Sequence, residues 1–150
     1  MKKHNLDAFL VTSMLNIKYL SGFTGTTGKI LITKDNQYFL TDFRYLSQAS
    51  AQCVGFKIVN VGYNYAENLE NLIKNAKVGF EGNIMTYDEY VHFKNTCTSI
   101  SFESVNLDSL RIIKDELEIQ KIVRANEISI EALNYVLEHV LIPNKTTEKE

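Results

Sequence analysis

The chain has 150 residues, of which 45% are hydrophobic and 23% charged, with a formal net charge of −2. These values are typical of one soluble domain, or of one domain and the start of a second. The longest basic run is two lysines and the apolar runs are far shorter than the ~20 residues of a membrane span, so we expect neither nucleic acid nor membrane as a partner. The first residues lack the apolar core of a signal peptide, and Cys53 and Cys97 form no C-x-x-C pair, which predicts a cytoplasmic protein with reduced thiols.

The first half of the chain predicts a strand, a helix and a hairpin. Residues 8–12 form a compact apolar run, typical of a buried strand. Ser13 can cap a short helix that Gly22 ends. Residues 29–33 and 38–41 are extended segments joined by turn residues, which predicts a β-hairpin.

The later elements alternate between helices and strands. Asp42 or Phe43 opens a second helix, and strands are predicted at residues 56–61, 78–80 and 100–105. In a capping box, the side chain of the capping residue just before a helix accepts the backbone N–H of the residue three positions later. The side chain of that later residue accepts the backbone N–H of the capping residue in return. The sequence predicts such boxes at three helix starts: Asn64 with Glu67, Thr86 with Glu89, and Asp115 with Glu118.

This order predicts an α/β fold with a mixed, mostly parallel sheet and helices on both faces. After residue 105 the pattern becomes one long helix of about 25 residues, or ~38 Å, ended by Pro143. Such a helix needs an apolar partner, so we place a domain boundary near residues 106–114 and expect an exposed stripe from Ile119 to Leu141. A second helix opens at residues 146–150, and we therefore expect the chain to be a fragment of a longer protein.

Two groups of residues bear on possible ligand or metal sites. Three glycines are spaced G-x-x-G-x-x-G before a strand, unlike the dinucleotide fingerprint: Gly22, Gly25 and Gly28. They predict either a tight loop that needs positive φ or close backbone approach, or a loop that reaches toward an active site. The histidines lie far apart without metal-ligand spacing: His4, His92 and His139. No metal site is predicted within this chain.

Three segments carry a family resemblance. Residues 19–28 read Y-L-S-G-F-T-G-T-T-G, residues 40–45 read L-T-D-F-R-Y, and residues 111–122 read R-I-I-K-D-E-L-E-I-Q-K-I. In this order they resemble the creatinase/prolidase/aminopeptidase P family, and are most similar to Xaa-Pro dipeptidases and aminopeptidase P. The resemblance implies that residues 1–110 are the N-terminal domain, with a ribonuclease H-like motif. It implies that residues 111–150 are the linker and first helix of a truncated "pita-bread" catalytic domain.

The resemblance also implies a function. The parent protein would be an Xaa-Pro dipeptidase, a hydrolase in which two divalent metal ions (Mn, Co or Zn) activate the water that attacks the peptide carbonyl. Its metal ligands would lie in the missing catalytic domain, so the fragment holds no catalytic residue or cofactor and should be inactive alone. Its part would be homodimer formation and substrate gating during hydrolysis of proline-containing peptides.

The resemblance implies that Arg44, Asp42 and Phe23 bind substrate in the full-length enzyme, although a purely structural Arg44–Asp42 pair stays open. The family usually has glycine where this chain has Phe43, so either the turn differs or the site needs no positive φ. Two other functions stay open as well. One is a catalytically dead peptide- or protein-binding module of the same fold, and the other is a small-molecule binder at the strand ends.

Overall fold

The computed structural model describes residues 5–140, which fall into two compact units that divide between Ser109 and Leu110. The first unit contains six strands: β1 (Ala8–Val11), β2 (Lys29–Thr33), β3 (Gln37–Thr41), β4 (Lys57–Asn60), β5 (Lys77–Phe80) and β6 (Ser101–Ser104). It also contains four helices: α1 (Met14–Ser21), α2 (Leu46–Gln52), α3 (Tyr65–Leu72) and α4 (Tyr87–Thr96). Among the described residues, no helix combines the length and apolarity needed to cross a bilayer.

The strands form one mixed sheet in the order β4-β3-β2-β1-β5-β6. β2 pairs antiparallel with both β1 and β3, as the predicted hairpin requires. The pairs β1–β5, β3–β4 and β5–β6 are parallel. Three of the five pairings are therefore parallel, which confirms the predicted mixed and mostly parallel sheet.

Helices cover both faces of this sheet because successive strand residues point to opposite sides. On one face, Leu10 packs in a cluster with Leu69 of α3 and Phe93 of α4. On the other, Phe9 packs with Ile17 of α1 and Ala49 of α2. Burial of each leucine, isoleucine or phenylalanine side chain among them stabilises the fold by roughly 1.5–3 kcal/mol. The predicted arrangement with helices on both faces is confirmed.

A buried carboxylate ties the start of α1 to the end of β5. Glu81 is 1% exposed and accepts hydrogen bonds from the backbone N–H groups of Thr12 at 2.6 Å and Ser13 at 2.7 Å. Its other oxygen accepts a hydrogen bond from the Asn16 side chain. A negative charge at this place also interacts favourably with the positive, N-terminal end of the helix dipole. Glu81 stands in no sequence pattern that predicted this role.

The predicted helix starts are confirmed in part. Ser13 accepts from the Asn16 backbone N–H, and Gly22 ends α1 at φ 74°. Thr86 caps α4, but the carboxylate of Glu89 bonds Lys29 and does not return to the cap. The box predicted at Asn64 is wrong because its ψ of 59° is not extended and its side chain makes no capping bond.

The second unit is described by one long helix, α5 (Glu116–Tyr135), continued by a five-residue π-helical segment at Val136–Val140. Asp115 and Glu118 form the full predicted capping box. The helical length of 20 plus 5 residues equals the predicted 25, while Pro143 lies outside the described residues. Apolar side chains along it are exposed, from Ile119 at 45% to Val140 at 40%.

Candidate functional site

The candidate site lies where β3 and β4 end at the same edge of the sheet. Thr41, the last residue of β3, accepts the backbone N–H of Val61 at 2.8 Å. The Thr41 hydroxyl donates to the carbonyl of Thr27, also at 2.8 Å. These two bonds join the glycine loop (residues 22–28), the residues after β3 and the turn after β4. The three segments therefore meet around Asp42.

Asp42 and Arg44 form a bidentate pair at this junction. Asp42 has no exposed surface, and its Oδ1 accepts the backbone N–H and Nε of Arg44, each at 3.0 Å. Its Oδ2 accepts Nη2 of Arg44 at 2.8 Å. The Arg44 side chain is nevertheless 50% exposed. One edge of the guanidinium is therefore fixed by the protein, while Nη1 and the second N–H of Nη2 are available on the solvent side.

The pair keeps both groups charged. The hydrogen bond from Arg44 holds the pKa of Asp42 below its ordinary value of 3.8. In turn, the same hydrogen bond and the negative charge of Asp42 raise the pKa of Arg44. The site thus presents a permanent cation, the guanidinium of Arg44.

Phe43 lies between these two residues and is 68% exposed. It begins a 3₁₀ turn, Phe43–Tyr45, that Asp42 caps through the Arg44 backbone N–H. Among described non-glycine residues, positive φ occurs at Asn5 and Asn75 and not here. Phe43 is thus accommodated in this turn without the strain of a positive φ.

Tyr45 holds Arg44 from a second side. Its ring lies 5.5 Å from the Arg44 guanidinium carbon, within the range of a cation–π contact. Its hydroxyl is 2.7 Å from the Thr26 hydroxyl of the glycine loop. The position of Arg44 is therefore linked to the loop as well as to Asp42.

Phe23 lies beneath the site and has no exposed surface. Its ring centroid is 4.6 Å from that of Phe39 and 5.8 Å from that of Tyr45. A Cβ on Gly25 would lie 2.4 Å from the Phe23 ring, so the loop can pack this closely only with glycine there. Phe23 therefore supports the rest of the glycine loop and the ring of Tyr45 from within the core. Asp42 and Arg44, in contrast, contact each other directly at the site.

A second charged group near the site carried no sequence signal. Lys29 Nζ lies 2.6 Å from Glu89 Oε1 and 5.1 Å from the ring centroid of Tyr65. The Tyr65 hydroxyl is buried and makes no hydrogen bond to any described residue. Burial, with a smaller contribution from Asp42, raises the pKa of Tyr65 to about 12. Lys29 opens an apolar strand and Glu89 follows a helix cap, so neither pattern predicted that they meet.

Metal-ligating side chains do not converge within residues 5–140: no group of three among His, Cys, Asp and Glu could hold an ion there. His139 stacks on Tyr135 within its own helix. Both cysteines are free and buried, as the sequence predicted. Burial raises the pKa of the Cys97 thiol to about 11 and also raises that of Cys53.

The family model for the creatinase/prolidase N-terminal domain matches residues 1–113. The chain is 33% identical over 137 residues to an uncharacterized peptidase, YqhT, of Bacillus subtilis, covering 88% of this chain and 39% of that protein. The fold superposes on an Xaa-Pro dipeptidase from Bacillus anthracis with a TM-score of 0.86 at 32% identity, covering 93% of this chain and 40% of the other. For an X-Pro aminopeptidase from Thermotoga maritima the TM-score is 0.81 at 27% identity, with 91% and 42% covered. The chain thus spans about two fifths of the length of these proteins.

Proposed function

Because the chain belongs to the creatinase/prolidase N-terminal domain family, we propose that it is the non-catalytic N-terminal domain of an Xaa-Pro dipeptidase or aminopeptidase P-like metallopeptidase. Relatives that carry this domain are peptidases and are more than twice as long. In this proposal residues 111–150 are the linker and first helix of a catalytic domain. The divalent metal ions and the water that attacks the peptide bond belong to the remainder of that domain.

The geometry of Arg44 is the observation that carries the proposal for this domain. A guanidinium whose Nε and Nη2 are already bonded to a buried carboxylate cannot swing away. Its remaining N–H donors match a peptide carboxylate or carbonyl oxygen. Little side-chain freedom is then lost when substrate binds. Arg44 therefore binds substrate, Asp42 orients Arg44, and Phe23 acts from beneath by holding Tyr45 and the loop.

Two further contributions belong to the proposal. The glycine loop is folded tightly onto its own Phe23 and packed against Tyr45, so it can serve as a rigid wall beside Arg44 and limit the entry of substrate. The exposed apolar side chains of α5 require cover, which the catalytic domain and a second subunit of a homodimer would supply. Substitutions in the glycine loop or in α5 can therefore test these two contributions without changing Arg44.

The test uses the full-length enzyme and an X-Pro dipeptide with Mn²⁺, Co²⁺ or Zn²⁺. We expect Arg44→Ala to lower kcat/KM by about tenfold to a hundredfold, mainly through KM, as loss of a charge-assisted contact predicts. Lys34→Ala is the matched control, since Lys34 is an exposed cation that pairs with Asp7 and lies in the turn before β3, at the opposite end of that strand from Arg44. Unchanged kinetics in Arg44→Ala would remove the role of Arg44. A full-length protein without hydrolytic activity toward any X-Pro peptide would favour the binding-module alternative.

A further inference from the structure

A tight turn after β4 projects one aromatic side chain into solvent beside the site. The Asn64 backbone N–H donates to the Val61 carbonyl at 2.9 Å, which closes a four-residue turn. Gly62 occupies its second position with φ 56°, and its backbone N–H donates to the Asn60 side chain at 3.2 Å. Tyr63 is the third residue of the turn and is 76% exposed.

The same turn is hydrogen-bonded to Thr41, the residue before Asp42. The Val61 backbone N–H donates to the Thr41 carbonyl, so the turn begins level with the end of β3. Tyr63 stands two residues beyond Val61 and Arg44 three residues beyond Thr41, so both follow the hydrogen-bonded ends of β3 and β4, and Tyr63 is among the electrostatic neighbours of Arg44. Arg44 therefore has Tyr45 against it on one side and Tyr63 close by.

An exposed aromatic ring next to a fixed cation has a physical use. Tyrosine supplies a large apolar surface at the entropic cost of only two side-chain torsions, and it is enriched where ligands are bound. The turn is itself hydrogen-bonded at both ends, so the ring is presented on a defined backbone. A ligand whose oxygen is bound by Arg44 would place its neighbouring carbon atoms against this ring.

We propose that Tyr63 is a specificity-determining residue that packs against the apolar ring adjoining the substrate group held by Arg44. This rests on the proposed function, and there the ring is the pyrrolidine of the proline residue. Tyr63 thus favours cyclic over acyclic residues after the scissile bond, whereas Arg44 binds both alike.

The experiment compares Ala-Pro with Ala-sarcosine in the full-length enzyme. Both substrates have an N-alkylated peptide bond and a carboxylate, but sarcosine lacks the ring carbons. We expect Tyr63→Ala to reduce the ratio of kcat/KM for Ala-Pro over Ala-sarcosine by about fivefold, since the loss is that of one aromatic packing contact. Tyr63→Phe should keep the wild-type ratio because it keeps the ring.

Two controls separate the possible failures. Tyr87→Ala removes a tyrosine of almost equal exposure, 78%, from the start of α4 and should leave the ratio unchanged. Arg44→Ala should lower kcat/KM for both substrates alike and keep the ratio. A wild-type ratio in Tyr63→Ala would overturn the role of Tyr63 while Arg44 and the proposed function stand. Absence of Ala-Pro hydrolysis by the wild-type enzyme with metal would refute the proposed function and this inference with it.

Discussion

Asp42 is fully buried, yet it accepts hydrogen bonds from both Nε and Nη2 of Arg44, whose side chain remains half exposed. The carboxylate also caps the 3₁₀ turn through the Arg44 backbone N–H. One buried anion therefore sets both the backbone and the side chain of the residue that faces the solvent. Substitution of Asp42 should alter the conformation of Arg44 without removing its charge.

The first prediction concerns acid stability. The pKa of Asp42 is lowered in the folded protein, so its contribution to stability is present above the unfolded value of about 3.8 and is lost as pH falls through the lower folded value. Asp42→Asn should be less stable than wild type at pH 7, and this gap should close below pH 3.8. Urea unfolding across pH 2–7 measures it. A gap that stays constant with pH would contradict the prediction.

Asp7 supplies an internal comparison for that experiment. Its pKa is also lowered, chiefly by the backbone N–H of Lys77. Asp42→Asn should therefore keep the part of the acid dependence that comes from Asp7. A double variant that also carries Asp7→Asn should unfold with still less dependence on pH.

The second prediction concerns Glu81. Replacing it with alanine leaves the buried backbone N–H groups of Thr12 and Ser13 without an acceptor, which should lower the free energy of unfolding by about 3 kcal/mol. Glu81→Gln keeps one oxygen and should cost about 1 kcal/mol. Denaturant unfolding checks both. Glu67→Ala, at an exposed position in α3, is the control and should change stability by less than about 0.5 kcal/mol.

The third prediction separates two reasons for glycine. Gly25→Ala places a methyl group 2.4 Å from the Phe23 ring and should cost about 1–3 kcal/mol through overpacking. Gly62→Ala meets no atom within 4 Å but must adopt φ 56°, which should cost about 1–2 kcal/mol. Unfolding measurements give both costs, and near-ultraviolet circular dichroism should change only for Gly25→Ala, because Phe23 and Tyr45 must move. Equal spectra for the two variants would count against this distinction.

The fourth prediction concerns thiol reactivity. With the pKa of Cys97 at about 11, roughly a thousandth of it is thiolate at pH 8, and burial blocks access as well. Cys53 is buried with a raised pKa too. A chromogenic disulfide reagent should therefore label neither cysteine rapidly in the native chain and both after denaturation. Rapid labelling of either one in the native state would show that its cluster opens readily.

The fifth prediction concerns the 150-residue chain by itself. The exposed apolar side chains of α5 should drive association between chains or exchange of this helix. Light scattering should give a mass that rises with concentration above that of a monomer. Ile122→Glu should shift the mass toward the monomer, whereas Lys121→Glu, at the neighbouring polar position, should do so much less. A monodisperse wild-type monomer at high concentration would argue against it.

The sequence predicted the strands and helices well because their signals are local. Apolar runs mark β1 and β5, and the cap and stop residues of α1 act within four positions of themselves. The family resemblance also singled out Asp42 and Arg44, which are two residues apart. In such cases one stretch of chain contains both the pattern and its consequence.

The contacts that were missed join distant parts of the chain. Glu89 has the spacing of a capping box, but its carboxylate accepts a hydrogen bond from Lys29, which lies 60 residues earlier. Asn64 is the exception, since it has the residue type of a cap but its ψ is set by the local turn Val61–Asn64 that leads into α3. Glu81 carries no spacing signal because its acceptor role depends on β5 pairing beside β1. Tertiary pairing decides these side chains, and local spacing does not encode it.

The Glu81 contact has a consequence for how the chain assembles. Its two backbone donors precede it by 69 and 68 residues, so the N–H groups just before α1 gain this acceptor only after β5 has been synthesised and has docked beside β1. The early hairpin can form locally before then, since only a short turn must close. Anchoring of the N-terminal helix is thereby deferred to a long-range event, and a nascent chain halted before β5 would leave the start of α1 without this tether.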